Sequence, residues 1–252
     1  MRSAALLVFG ALLAASRGAA QEADCFILYD LKADKVVVRS GDARCAERVS
    51  PCSTFKVPLA LMAFDAGVLK DETSIRTWDG TKYARSAWNK DHTAASWMRD
   101  SVVWFSQRLV TEMGAEKVKA YMSAFDLGNG DMSGGLTKFW LESSLLVSPD
   151  EQIQFWTRFW REQLPVSKHA FEMTKKITFV ETSPGGWTLH GKTGSGDEAT
   201  GGWFVGHVEK GDREYLFVTR YVDRAKASKD DRPAGWIARD IAKRLLAKME
   251  VF

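Results

Sequence analysis

The hydrophobic period changes twice along the 252 residues, and that double change restricts the fold more than any single residue does. Residues 25–29 and 36–39 are short β-rich runs on either side of a polar turn, and they read as a hairpin. From Ser53 to about Thr178 the apolar residues recur at three-to-four spacing, in 57–64, 96–110, 115–125 and 149–162, with Gly and Asn-Gly in the gaps. Beyond Ser183 the period returns to two in 187–190, 202–209 and 214–221, with Lys210-Gly211-Asp212 as a turn. A last amphipathic helix, about 234–248, repeats apolar residues at Ile237, Ile241 and Leu245. Strands at both ends around a helical middle fit an α/β (α+β) architecture. One antiparallel sheet is built from both termini and flanked by helices, and a helical lobe of about residues 53–180 is inserted into it. The cleft between lobe and sheet is the expected site.

The first twenty residues have the form of a secretory signal. Arg2 precedes an apolar run from Ala4 to Ala15, and Ser16-Arg17-Gly18-Ala19-Ala20 puts small residues at the cleavage position. That run is shorter than the roughly 20 residues a membrane span needs. The mature domain is therefore expected over 21–252, exported, with no membrane attachment after cleavage. Losing Arg2 and Arg17 lowers the formal charge from +3 to +1. A balance this even, with no block of like charge, argues against a nucleic-acid or polyanion binder. His92, His169, His190 and His207 form no HExxH, HxH or Cys-x-x-Cys pattern, so no metal is expected. Export makes disulfides stable. Cys45 and Cys52 close a short loop worth about 2.5 kcal/mol and are the expected pair, with Cys25 left inside a strand; the alternative is three buried thiols.

Ser53-Thr54-Phe55-Lys56 lies where the turn Val49-Ser50-Pro51-Cys52 gives way to an apolar helical run. Residues three apart share a helix face, so the Lys56 amine can reach the Ser53 hydroxyl, and a hydroxyl nucleophile needs such a base. A helix start also aims free N–H groups at an oxyanion formed there. A chain this rich in Ser and Lys holds about one such pair by chance, so the motif needs support. Support comes from Lys192-Thr193-Gly194 followed by Ser195-Gly196 on a predicted strand, where the glycines let a backbone approach closely. A third element, Ser101-Val102-Val103, opens a helical pattern.

In this order the three resemble the active-site motifs of serine β-lactamases and penicillin-binding proteins, and most of all those of class D, the oxacillinase-type enzymes. Phe139-Trp140-Leu141-Glu142 and Trp203-Phe204-Val205-Gly206 extend the resemblance over the whole mature chain. The resemblance implies a bacterial periplasmic hydrolase whose partner is a small β-lactam, with Ser53 as nucleophile. It implies Lys56, carboxylated on its amine by carbon dioxide (N6-carboxylysine), as general base, with no other cofactor. Ser101 would relay a proton to the lactam nitrogen beside Lys192. The backbone N–H groups of Ser53 and Ser195 would form the oxyanion hole, with Thr193 and Gly194 beside the substrate. Trp140 would donate to the carbamate, Val103 and Leu141 would keep its pocket dry, and Arg239 would hold the substrate carboxylate.

Taken without the resemblance, Trp140 is an ordinary packing residue and Arg239 a solvated charge, about 200° around its helix from Ile237. Glu142 as a class A-like deacylating base is the alternative to Lys56, although Ser-Val-Val stands where that class has Ser-Asp-Asn. Alternative functions are a non-hydrolytic penicillin sensor and a D,D-carboxypeptidase. Two positions depart from the class D pattern. Leu127-Gly128-Asn129 lacks the usual tyrosine, which is expected to open the site's edge, and His207 replaces a strand tryptophan. Substrate breadth is expected to rest on loops about 80–95 and 196–202.

Overall fold

The computed structural model describes residues 23–223 and 230–252, so the expected signal lies outside the described residues. β1 (Cys25–Asp30) and β2 (Lys35–Ser40) form the predicted hairpin, and Asp30 Oδ1 caps its turn by accepting from the N–H groups of Lys32 and Ala33. The helical region follows, with α1 (Asp42–Cys45), α2 (Lys56–Asp65), α3 (Ala94–Asp100), α4 (Val103–Met113), α5 (Ala115–Ala124), α6 (Pro149–Trp160) and α7 (Lys168–Ile177). A two-stranded ladder of β3 (Ile75–Arg76) and β4 (His92–Thr93) is set among them. β5 (Phe179–Thr182), β6 (Thr188–Ser195), β7 (Gly202–Lys210) and β8 (Arg213–Tyr221) complete the sheet, and α8 (Ala234–Lys248) closes the chain.

The sheet order is β2-β1-β8-β7-β6-β5, antiparallel throughout, so the N-terminal hairpin pairs with the last strand as expected. Alternate side chains serve two cores. Phe26, Leu28, Phe204 and Phe217 pack with Ala238, Ile241 and Leu245 of α8, whereas Ile27, Trp203, Val205 and Val218 face the helical lobe. Both faces being covered, β7 is buried from Gly202 to Val208. α2 is buried at every position from Lys56 to Phe64; its apolar surface runs all the way round, which marks a core helix.

Two expectations need correction. The disulfide joins Cys25 to Cys45, with Cα atoms 5.2 Å apart, and Cys52 is a free buried thiol. The hairpin decides this. β2 returns along β1 with Ser40 opposite Phe26, and Gly41, at φ 77°, turns the chain so that α1 delivers Cys45 to Cys25. Gly41 cannot carry a side chain there, because a Cβ would lie 2.1 Å from the Asp24 carbonyl oxygen. The chain then runs out to a Val49–Val147 bridge, which carries Cys52 away from Cys45. The second correction is that residues 96–110 are not one helix. α3 stops at Asp100, Ser101 takes a left-handed conformation at φ 61°, and α4 starts afresh at Val103.

Candidate active site

The chain turns sharply just before Ser53, with Cys52 at φ 48°, and Ser53 lies in a short 3₁₀ turn, Cys52–Phe55, that runs straight into α2. Thr54 fixes the turn by donating from its hydroxyl to the Pro51 carbonyl at 2.7 Å while accepting from Gln152 of α6 at 2.9 Å. Three residues on, Lys56 Nζ lies 3.4 Å from Ser53 Oγ, as the shared helix face predicts. Lys56 is wholly buried, and burial, reinforced by the positive charge of Arg85, pulls its pKa down to about 7.

β6 brings the second motif against the first. Lys192 Nζ donates to Ser101 Oγ at 3.1 Å and to the Thr193 carbonyl at 3.0 Å. Burial, followed by the charges of Lys56, Arg85 and Arg239, holds Lys192 well below the ordinary lysine range. The break between α3 and α4 acquires a reason here, because it turns the Ser101 hydroxyl out of a helix and toward β6. Gly194 is squeezed between two elements. A Cβ there would stand 2.9 Å from the Pro51 carbonyl oxygen, and one on Gly235 of α8 would stand 2.4 Å from the Gly194 carbonyl oxygen. On the far side Ser195 Oγ accepts from the Gly235 N–H at 3.0 Å.

Trp140 lies beneath this assembly, fully buried, its ring stacked on Phe55 at 5.1 Å and set edge-on to Phe139 at 5.0 Å. Its Nε1–H has no acceptor among the described residues, an unusual state for a buried donor. Ser50, which sequence reasoning passed over, ties three pieces together. Its hydroxyl donates to the Trp140 carbonyl at 3.0 Å and accepts from the Glu142 N–H at 2.9 Å, and its carbonyl accepts from Trp203 Nε1 at 3.0 Å. Its place beside Pro51 in the turn was the only sequence signal.

Ser53, Ser101, Val103, Leu141, Thr193, Ser195 and Arg239 all line one cleft of about 420 Å³. Arg239 reaches it from the second turn of α8, whose start packs on Gly194 and Ser195; its guanidinium stands 5.9 Å over the Trp236 ring. Arg85, Trp88 and Trp236 also line the cleft, and their isolated positions in the sequence carried no motif. Glu142 belongs elsewhere. Its carboxylate accepts from the Asp197 N–H and clamps the loop between β6 and β7, and it is not among the residues that line the cleft. Leu127 is a further correction. It is buried in the core and does not line the cleft, so the missing tyrosine opens no edge there, while Asn129 pins the following loop through the Ser144 carbonyl and the Leu146 N–H. His207 is a buried strand residue stacked on Trp160 at 3.8 Å; with Glu209 and Glu214 it places ligand-type atoms within 4.8 Å, away from the cleft lining.

A hydroxyl held by a buried amine, a second buried lysine bonded to another hydroxyl, and the guanidinium groups of Arg85, Arg99 and Arg239 form a cleft suited to acylation by an anionic substrate. The family described as "Penicillin binding protein transpeptidase domain" matches residues 25–243. The β-lactamase OXA-9 of Klebsiella pneumoniae is 39% identical, covering 93% of this chain and 92% of its own. The β-lactamase OXA-1 of Escherichia coli is 41% identical over 77% of this chain and 74% of its own. The solved class D β-lactamase BAT-2 superposes with a TM-score of 0.85 at 35% identity, covering 94% of this chain and 96% of that one. The chain belongs to the class D serine β-lactamases.

As a class D β-lactamase, the chain is a hydrolase that opens the β-lactam ring. The two corrections to its fold leave the cleft intact. The class D enzyme uses Cys25–Cys45 to fasten the hairpin edge to the lobe, and keeps Cys52 as a thiol whose burial raises its pKa to about 11.

Proposed function

We propose that this enzyme hydrolyses penicillin-type β-lactams through an acyl-enzyme on Ser53, and that Lys56 serves both halves of the reaction in its N-carboxylated form. The observation that carries this reading is the Lys56 amine, completely buried, 3.4 Å from the Ser53 hydroxyl and with its pKa drawn down to about 7 by burial. A lysine with an ordinary pKa near 10.4 would be a cation and no base. A neutral amine can add carbon dioxide and lose a proton, and the carboxylate so formed supplies a base within reach of Ser53. The residues present fit that group: the orphaned Trp140 N–H is a donor in need of an acceptor, and Val103 and Leu141 add apolar surface to the cleft lining.

The remaining chemistry follows from placement. Ser53 Oγ attacks the lactam carbonyl, its oxygen resting on the N–H groups of Ser53 and Ser195. The C–N bond breaks as Ser101 passes a proton to the departing nitrogen, with the Lys192 amine donating a hydrogen bond to the Ser101 hydroxyl. Thr193 and Gly194 flank the substrate, and Arg239 forks onto its carboxylate. Water then releases the acyl group from Ser53. The reading includes export to the periplasm. The disulfide among the described residues fits an oxidising compartment, and no described helix is long and apolar enough to cross a membrane.

Intact-mass spectrometry with benzylpenicillin provides the test. The wild type should turn over, and Ser53→Ala, which removes one hydroxyl that caps no helix, should gain no covalent mass while remaining folded. Labelling of Ser53→Ala at another residue refutes the assignment. ¹³C-bicarbonate should give a carbamate resonance in the wild type and restore activity lost in carbon-dioxide-free buffer. Absence of both effects refutes the role given to Lys56.

A further inference from the structure

Of the two cleft arginines that the proposed reaction does not use, Arg99 is paired with Asp100, which leaves Arg85. It precedes the 3₁₀ turn Ser86–Trp88 and reaches across the mouth, its guanidinium 5.7 Å from the Trp88 ring and 5.8 Å from that of Trp236 on α8. Neighbouring arginines are engaged: Arg99 with Asp100, Arg76 with Glu112, and Arg232 with Asp230 and Asp240. Arg85 has no hydrogen bond or ion pair with any described residue. Aromatic rings satisfy the flat faces of a guanidinium but none of its five in-plane N–H donors. The two tryptophans therefore hold Arg85 in place while its fork of donors stays open to the cleft.

A β-lactam nucleus carries one carboxylate, and the proposed reaction assigns it to Arg239. The two arginines also act on different neighbours: Arg239 lowers the pKa of Lys192, whereas Arg85 lowers those of both Lys192 and Lys56. Arg85 lines the same cleft as Cys52 and Ser53. In a penicillin whose carbonyl lies on Ser53, the nuclear carboxylate and the acylamino side chain leave the ring system from opposite ends. A further cleft guanidinium with no ion pair among the described residues has a partner on such a substrate only if the side chain is charged.

We propose that Arg85 is a second anion-binding subsite, held between Trp88 and Trp236 to receive a carboxylate or sulfonate on the acylamino side chain, so that the enzyme favours β-lactams with ionised side chains over otherwise identical neutral ones. The assignment rests on the cleft being the β-lactam site, and it goes beyond that reading by naming the substrate class.

Benzylpenicillin and its analogue with a carboxylate on the benzylic carbon form a matched pair for the test. The kcat/KM of each is measured for the wild type, Arg85→Gln and Arg239→Gln at low and high salt. Arg85→Gln should lower the ratio of dianionic to monoanionic kcat/KM about tenfold, the size of one charge-assisted contact. Arg239→Gln should depress both substrates alike and leave the ratio in place. Raising the ionic strength from about 0.02 to about 0.5 M should erode the wild-type ratio, because the contact is open to solvent. Any effect of Arg85 on Lys56 acts on both substrates and cancels in the ratio. Equal losses on both substrates, or no change in the ratio, overturn the subsite alone. Wild-type protein that opens neither ring overturns the β-lactam reading and the subsite with it.

Discussion

Replacing Lys56 with Met should end turnover and make the protein more stable. The wild-type amine lies wholly inside the protein, with the Ser53 hydroxyl 3.4 Å away. Its pKa is about 7 in the fold against 10.5 for an unperturbed lysine. Between those two values the unfolded chain holds a proton that the folded chain does not. Wild-type stability therefore rises with pH across this window, by about 1.4 kcal/mol per pH unit. At pH 7 the wild type thus stands about 5 kcal/mol below its own stability at pH 10.5. Met has a similar length, no charge and no proton to lose. Allowing about 1 kcal/mol for imperfect packing, Lys56→Met should gain about 3–5 kcal/mol at pH 7. The gain should shrink toward zero as the pH approaches 10.5 and level off below 7, where both states of the wild type are protonated. Urea unfolding of both proteins from pH 6 to 10 in carbon-dioxide-free buffer measures the difference through the midpoint at constant m. Bicarbonate should stabilise only the wild type, since it binds only the folded amine. A variant no more stable than the wild type at pH 7, or a gain that does not vary with pH, refutes the argument that burial of the amine is what lowers its pKa.

Reduction of Cys25–Cys45, which spans 20 residues, should cost about 3 kcal/mol in denaturant unfolding, and Cys25→Ala should lose the dependence on reductant. Cys52→Ser should keep that dependence, and if it does not, the pairing described here is wrong. Gly194→Ala puts a Cβ 2.9 Å from the Pro51 carbonyl oxygen and 3.2 Å from Thr54 Cγ2, forcing β6 away from the Ser53 turn. Its kcat/KM should fall on the order of 10- to 100-fold with the fold retained by circular dichroism; near-normal kinetics would show that the squeeze on β6 does not position Lys192.

Local information determined the element types and the sheet built from two ends, because strand and helix periods depend on which side chains meet water, and those patterns are written residue by residue. The Ser53–Lys56 contact was equally legible, since two residues three apart on one helix have few other places to go. What lay beyond reach were decisions made between distant segments. Nothing near Ser101 announces a left-handed residue between two helices; the break is explained only by Lys192, ninety-one positions later. Cysteine spacing favoured the shorter loop, but the register of β1 on β2 and the turn at Gly41 chose the longer one. Leu127 and Glu142 looked like cleft residues because of their neighbours in sequence, and packing put one in the core and the other on a loop clamp. Arg85, Trp88 and Trp236 come from a loop and the last helix, with no shared motif, and only the closing of α8 over the sheet brings them to one mouth. Periodicity reports which face of an element is buried; which two faces meet is set by the free energy of the whole packed chain, and there the tertiary structure decided.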